Sequence, residues 1–299
     1  MGILDGLRLR RDFERGRREL DNGNLEAAVR TLEEYVTEDD ANPGAWWNLG
    51  LAYKFQRNWA ESMRCNRRYI ELRPKDEEGY FNFGVAASAL RDWPAARWAW
   101  RGIGLEVDDG DGPPDLELGP TPVRLNASSD GGGEVVWANR LDPCRAIIRS
   151  VPTPESGHRF GDVILHDVVP RGQREAGGYT FSVFDELIRM DPSDLATHTA
   201  MATAPGEADV DALIEQGVAA GLGVEDWTSS IQFICASCSL AEAHRHDEPT
   251  GAPVWEPDRR LGLAGETGQL RELLDRWSAA GSGRAFRDLE SSDGNATAK

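Results

Sequence analysis

The fold of the first third of the chain turns on residues 46–53, Trp46-Trp47-Asn48-Leu49-Gly50-Leu51-Ala52-Tyr53. Trp46, Leu49, Gly50 and Tyr53 fall at i, i+3, i+4 and i+7, the spacing that gathers side chains on one face of an α-helix. Gln56-Arg57-Asn58 reads as a turn. A second helix is expected from Trp59 to Leu72, closed by Pro74, which has no N–H to continue the ladder. Glycine inside a helix costs about 1 kcal/mol relative to alanine. Gly50 therefore needs a compensation, and a close crossing with the second helix supplies one.

The pattern recurs at a spacing of 34 residues. Gly16, Gly50 and Gly84 are one such set. Asn24, Asn58 and Asp92 are a second, and Leu25, Trp59 and Trp93 a third. Ala28, Ser62 and Ala96 follow, then Tyr35, Tyr69 and Ile103. Self-similarity at a fixed period marks stacked units, each hiding its apolar face against a neighbour.

This pattern resembles the tetratricopeptide repeat. The resemblance rests on Trp46-x-x-Leu49-Gly50-x-x-Tyr53, Ser62 and Pro74 in the second copy, and on Tyr80-x-x-Phe83-Gly84 with Ala96 in the third. The first copy departs from it: Asp12 and Arg15 stand where large apolar residues are usual. The resemblance covers residues 9–107, with copies at 9–42, 43–76 and 77–110. It implies a right-handed stack of antiparallel helix pairs whose first helices line a groove for a peptide or partner protein. The groove-facing positions it implies are Phe13, Arg17, Trp47, Asn48, Leu51, Lys54, Phe55, Phe81, Asn82, Val85 and Ala89. Of these, Arg17, Trp47, Asn48, Leu51, Lys54, Phe55, Phe81 and Asn82 form the expected peptide-binding set. Asn48 and Asn82 can both donate and accept along an extended backbone. Arg17 and Lys54 can pair with an acidic group, and the aromatics offer contact area. The alternative is that the protein's own C-terminal segment fills the groove, or that the aromatics pack between repeats.

The chain has 299 residues, long enough for two domains. It carries 33 Lys and Arg against 51 Asp and Glu, net -18. Nucleic acid and anionic membrane are thus not expected as partners, since phosphate contacts need clustered cations. The first residues hold no apolar stretch of signal length, and a cytoplasmic location is expected. Four cysteines do not make a disulfide framework. Cys65 and Cys144 read as small core residues.

After the last repeat helix, with Trp98 and Trp100, comes Asp108-Asp109-Gly110-Asp111-Gly112-Pro113-Pro114. This is linker composition, and residues 108–120 are expected to be a linker. From Thr121 short strands are expected around 135–137, 146–148, 163–165, 179–184, 197–202 and 229–234, with Gly and Pro between them. Helices are expected at 210–220 and 267–279, the second carrying Leu270, Leu273, Leu274 and Trp277 on one face. The fold class that follows is multidomain: an all-α helical repeat, then an α+β domain over residues 121–285 with a mostly antiparallel sheet. A disordered tail is expected over 286–299.

One constellation carries chemistry. Cys235, Cys238, His244 and His246 spell Cys-x2-Cys-x5-His-x-His. Two thiolates at that spacing reach one ion, and four such ligands suit tetrahedral Zn²⁺ in a closed, structural site. A thiol–disulfide pair at Cys235 and Cys238 is a rival reading. A zinc-dependent enzyme, with water in one ligand position, is another. Buried cysteines beside surface histidines are the plain alternative. His158, His166 and His198 read as hydrogen-bonded surface or edge residues. Gly131–Gly133 precedes a strand and reads as a hairpin loop. No nucleophile elbow, phosphate-binding loop or zincin motif occurs. The expected function is therefore a non-catalytic adaptor, with a groove for a protein or peptide and a second domain stabilised by structural zinc.

Overall fold

The computed structural model describes residues 3–127, 133–230 and 255–292. It divides into two compact units: Met1–Leu116 with Leu141–Cys144, and Glu117–Arg140 with Arg145–Lys299.

The first unit is built from six helices: α1 (Ile3–Asp21), α2 (Leu25–Glu38), α3 (Pro43–Phe55), α4 (Trp59–Leu72), α5 (Glu77–Ala89) and α6 (Trp93–Gly102). The starts of α3 to α6 are capped by side chains. Asn42 accepts from Gly44 N, Asp76 from Glu78 N and Asp92 from Ala95 N, and Asn58 reaches Glu61 N at 3.5 Å. The turns are equally periodic. Gly23, Arg57 and Arg91 stand 34 apart, and all have positive φ, at 76°, 58° and 59°. Glycine takes that conformation freely; the two arginines adopt it at a cost of about 1–2 kcal/mol.

The recurring glycines clear slots within each repeat. A Cβ at Gly16 would lie 2.7 Å from Leu32, one at Gly50 3.1 Å from Asn66, and one at Gly84 2.3 Å from Trp100. Those three partners are themselves 34 apart and almost wholly buried. The sequence leads one to expect the C-terminal domain to cover the face that carries Trp98 and Trp100; Trp100 packs instead inside its own repeat, against Gly84 and Phe81. The repeats are joined by polar seams: Tyr53 donates to Glu33 at 2.8 Å, Arg64 to the same carboxylate, and Lys54 to Asn82 at 3.1 Å.

The segment after α6 is not a free linker. Arg97 donates to the carbonyls of Asp108 at 2.9 Å and Gly112 at 2.6 Å, and Arg101 donates to that of Val107. These bonds tie the chain across the last helix.

The second unit has two layers of construction. The strands β1 (Gly119–Arg124), β2 (Val135–Arg140), β3 (Arg145–Ile148) and β4 (Val163–His166) follow one another antiparallel. β4 then pairs with the long β6 (Tyr179–Asp191), and β6 with β5 (Gly172–Ala176). β1 returns to β6 in parallel at Val123–Phe184 and Arg124–Asp185, closing a small barrel of five strands around Val123, Leu125, Val136, Ile148 and Ile164. Arg124 fastens this seam with two bonds to Asp185, 2.8 and 2.7 Å.

The rest of the unit is a four-stranded antiparallel sheet in the order β10-β7-β9-β8. Its parts are β7 (Thr197–Thr203), α7 (Glu207–Ala219), β8 (Gly223–Asp226), the single turn α8 (Trp227–Ser230), β9 (Asp258–Ala264), α9 (Thr267–Ala279) and β10 (Ala285–Ser291). Apart from α8, this succession and strand order are those of the ferredoxin-like split β-α-β. Leu270, Leu273, Leu274 and Trp277 of α9 are fully buried, packed with Leu213 of α7 and Ala200, Leu261 and Leu263 of the sheet.

Three expectations are corrected. Residues 227–230, expected to lead into and begin a strand over 229–234, form a helical turn; Asp226 caps it through Thr228 N, and residues 231–234 lie outside the described part. The tail does not begin at 286: Phe286 to Ser291 belong to β10, an edge strand paired with β7, whose Phe286 and Leu289 reach the core. The start of the second domain moves from 121 to 117, because Leu118 N already bonds Arg140 O and β1 begins at Gly119. Among the described residues no helix is long and apolar enough to cross a membrane.

Candidate functional site

The groove-facing residues lie on α1, α3 and α5, the first helices of the three pairs, and the structure sorts them into two groups. Phe13, Trp47, Leu51 and Phe81 are half-buried, and Phe55 is 41% exposed. Each aromatic but Phe55 leans on an aromatic of a neighbouring helix: Phe13 on Tyr35 at 5.7 Å, Trp47 on Tyr69 at 5.1 Å and Phe81 on Trp100 at 6.4 Å. The ring of Phe55 receives the Lys54 ammonium at 5.1 Å. These side chains are anchored on one side and keep a free edge, which lowers the entropy lost when a partner covers them.

The second group is polar and turned inward. Lys54 is only 2% exposed and Asn82 3%. Lys54 Nζ donates to Asn82 Oδ1, and Asn82 Nδ2 donates to Glu78 O at 3.2 Å. A ligand contacting either group must first exchange that bond. Val85, expected to face the groove, is also fully buried. Asn48 is half-buried and gives its N–H to Gly44 O at 2.6 Å, along its own helix. Arg17 is exposed and pairs with Glu14 at 2.9 Å, an interaction weak enough in water to be traded for another carboxylate. Arg10, two turns earlier on α1, is exposed, and sequence reading passed over it; its spacing of seven from Arg17 is the signal that places both on one side of the helix.

Cys235, Cys238, His244 and His246 lie outside the described residues. Among the described residues no group of three or more His, Cys, Asp or Glu is placed to hold a metal. The chain entering and leaving that segment is firmly held. Asp226 receives the Arg259 guanidinium, with Nε at 2.9 Å, both groups buried, and Arg259 stacks on Trp255 at 4.5 Å. The Trp227 indole donates to Val151 O at 2.9 Å and covers Gly262, where a Cβ would lie 2.2 Å from the ring.

The three remaining histidines are buried rather than at the surface. His158 holds Glu186 at 2.7 Å through Nε2 and Ser156 O at 3.0 Å through Nδ1. Both partners are acceptors, so the ring bonds both fully only as the imidazolium. Burial opposes that charge, but the hydrogen bond and charge of Glu186 outweigh it and hold the pKa above the ordinary value. His198 bridges Ala196 O and Thr267 Oγ1, and His166 contacts Asp167 O at 2.8 Å. Cys65 and Cys144 are buried as expected, and burial pushes the Cys65 thiol up to about 12, which keeps it protonated and inert.

No protein-family model matches the chain, and no curated protein is similar to it. Solved structures do match. The first tetratricopeptide domain of Spaghetti (RPAP3), bound to the HSP90 peptide SRMEEVD, is 19% identical over 32% of this chain and 75% of that one, with a TM-score of 0.30. The TPR2B domain of yeast Sti1, in complex with pHsp70, is 14% identical over 32% of this chain and 77% of that one, also at 0.30. A hypothetical protein from Neisseria gonorrhoeae is 13% identical over 56% of this chain and 92% of that one, at 0.21. The 34-residue period, the six antiparallel helices and the glycine slots make residues 9–107 an array of three tetratricopeptide-type helix pairs.

Proposed function

We propose that this chain is a non-catalytic adaptor whose helical repeats bind a peptide or a partner protein on α1 and α3. The observation that carries the reading is the strip of pre-anchored apolar groups, Phe13, Trp47, Leu51 and Phe55, beside the exposed cations Arg10 and Arg17. Rigid aromatics with a free edge are the kind of group that supplies most of an interface's binding energy. The buried Lys54–Asn82 bond moves the centre of this surface away from α5, toward the first two repeats. The test is selection of binders from a random peptide display library with the whole chain, followed by titration of the enriched peptides. Phe55→Ala is expected to raise the dissociation constant by about 30-fold, the weight of an interface hot spot. Asn82→Ala is expected to act less, and through stability. A library that yields no binder, or binders indifferent to Phe55 and Trp47, would remove the adaptor reading.

Structural zinc on Cys235, Cys238, His244 and His246 belongs to the same proposal and rests on the spacing alone. Elemental analysis of protein purified without chelator is expected to give one zinc per chain, lost in Cys238→Ser. A metal-free protein with a reactive Cys235 thiol would favour the disulfide-exchange reading instead.

A further inference from the structure

α1 carries a strip of arginine in a strongly acidic chain. Arg11, Arg15 and Arg18 stand at i, i+4 and i+7, which puts them on one helix face, with Leu7 one turn ahead. All four are exposed, Leu7 to 60%. Arg10 and Arg17, beside the groove, each precede a member of this strip by one residue and so sit about 100° round the helix. The strip is a separate face. Its local contacts are slight: Arg15 meets Asp12 at 3.5 Å, and Arg18 donates to Glu14 O at 3.2 Å. α7 carries the converse strip. Glu207, Asp211 and Glu215 are exposed at i, i+4 and i+8, and Val218, one turn further on, is 71% exposed. The opposite side of α7 is the one that buries Val210, Leu213 and Gly217. Among the described residues Arg11, Glu207, Asp211 and Glu215 enter no ion pair.

The two strips match when they run in opposite directions. Arg18 lies eleven residues after Leu7, and Glu207 lies eleven before Val218, each span being about 16 Å of helix. Laid antiparallel, Leu7 meets Val218, Arg11 meets Glu215, Arg15 meets Asp211 and Arg18 meets Glu207. A parallel arrangement would set Leu7 against Glu207 and Arg18 against Val218. The apolar ends therefore fix the direction, and the charges between them fix the register. Opposite charge in matching order is what selects one partner surface over others.

We infer that the arginine face of α1 is a docking surface for the acidic face of α7 in a second copy of this chain, with the two helices antiparallel. Each copy carries both faces, so the contact is head-to-tail. Exposed ion pairs contribute little apiece, and the net charge of -18 sets the copies against each other. The association is therefore weak, reversible and sensitive to salt.

Sedimentation velocity of the full chain, from micromolar to near-millimolar concentration, tests this. Reversible association is expected, weakened about tenfold between 0.05 and 0.5 M salt. Reversing one face, as Arg11→Glu with Arg15→Glu and Arg18→Glu, leaves a copy with two acidic faces. Reversing the other, as Glu207→Arg with Asp211→Arg and Glu215→Arg, leaves a copy with two basic faces. Each variant alone is expected to associate about 100-fold more weakly than wild type. Mixed in equal amounts, they are expected to recover wild-type association, because α1 of the second variant then meets α7 of the first. Both variants keep a net negative charge, so bulk attraction does not bring them together. Far-UV circular dichroism identifies a variant that fails to fold. The lighter pair Arg15→Glu and Asp211→Arg, each expected to lose about fivefold alone, then repeats the mixing. A chain that stays monomeric throughout, or a mixture no better associated than its parts, would overturn the inference.

Discussion

The two units use tight packing over different chain distances. In the repeats, Gly16, Gly50 and Gly84 each receive a side chain 16 residues further on, as at Gly84 and Trp100. In the second unit the equivalent filling comes from afar: Gly262 lies under Trp227, Trp227 bonds Val151, and the Trp277 indole donates to Asp209 O at 2.7 Å. Local contacts close short loops and form early, whereas distant ones close long loops before any stabilisation is gained. The comparison teaches that the repeats are organised by their own period, and the barrel and the four-stranded sheet by a few pins that connect distant segments.

The largest expected effect breaks one of those pins. Arg259→Leu leaves Asp226 buried without its guanidinium, and removing one member of a buried ion pair costs about 3–5 kcal/mol. Calorimetry is expected to show a lowered transition for the second unit, with the helical transition in place. A loss shared equally by both transitions would mean that the units do not unfold separately. Next comes Gly84→Ala, whose new methyl meets the rigid Trp100 ring; overpacking of that kind costs about 1–3 kcal/mol. Gly50→Ala meets only the Asn66 amide at 3.1 Å and is expected to cost less. Equal losses would show that the slots are not set by their occupants.

A smaller effect concerns His158, which pins the short turn at Pro154–Ser156 to β6. Its pKa is raised on folding, so its contribution is complete below the unfolded value of about 6.5 and is lost as pH rises through the folded one. Glu134, Asp162 and Arg189 also bond the chain around this turn, and burial raises the Glu134 pKa. Stability is expected to fall with rising pH by about 1.5 kcal/mol, the scale of a hydrogen bond to a charged group. His158→Gln should flatten the profile in urea titrations at successive pH values; an unchanged slope would assign the pH dependence elsewhere.

The two units also differ in what their residues disclose. A repeated turn residue, a repeated glycine and a repeated aromatic place α3 to α6 almost to the residue, because helix pairs are local objects. The α9 face was equally plain from Leu270, Leu273, Leu274 and Trp277. β8, β9 and β10 were not. Gly223-Val224-Glu225-Asp226 is short and acidic, and Asp258-Arg259-Arg260 opens β9 with charges whose partners, Thr203, Asp226 and Trp227, are distant in the chain. β10 alternates weakly because an edge strand faces water on most sides. In the groove, chemistry was legible but exposure was not. Lysine and asparagine name possible contacts, yet whether they meet a ligand or each other depends on a distance across 28 residues.

Each slot and its filler lie inside the same 34 residues: Gly16 with Leu32, Gly50 with Asn66, Gly84 with Trp100. A repeat therefore carries these locks and keys together, while the joints between repeats combine hydrogen bonds and ion pairs with apolar contacts such as Tyr69 and Ile70 against Gly79. Unequal crossing-over at the repeat boundaries would gain or lose a whole turn of the array and leave Gly16, Gly50 and Gly84 each facing its own filler. The array can lengthen or shorten by inheritance while the packing inside each repeat stays matched.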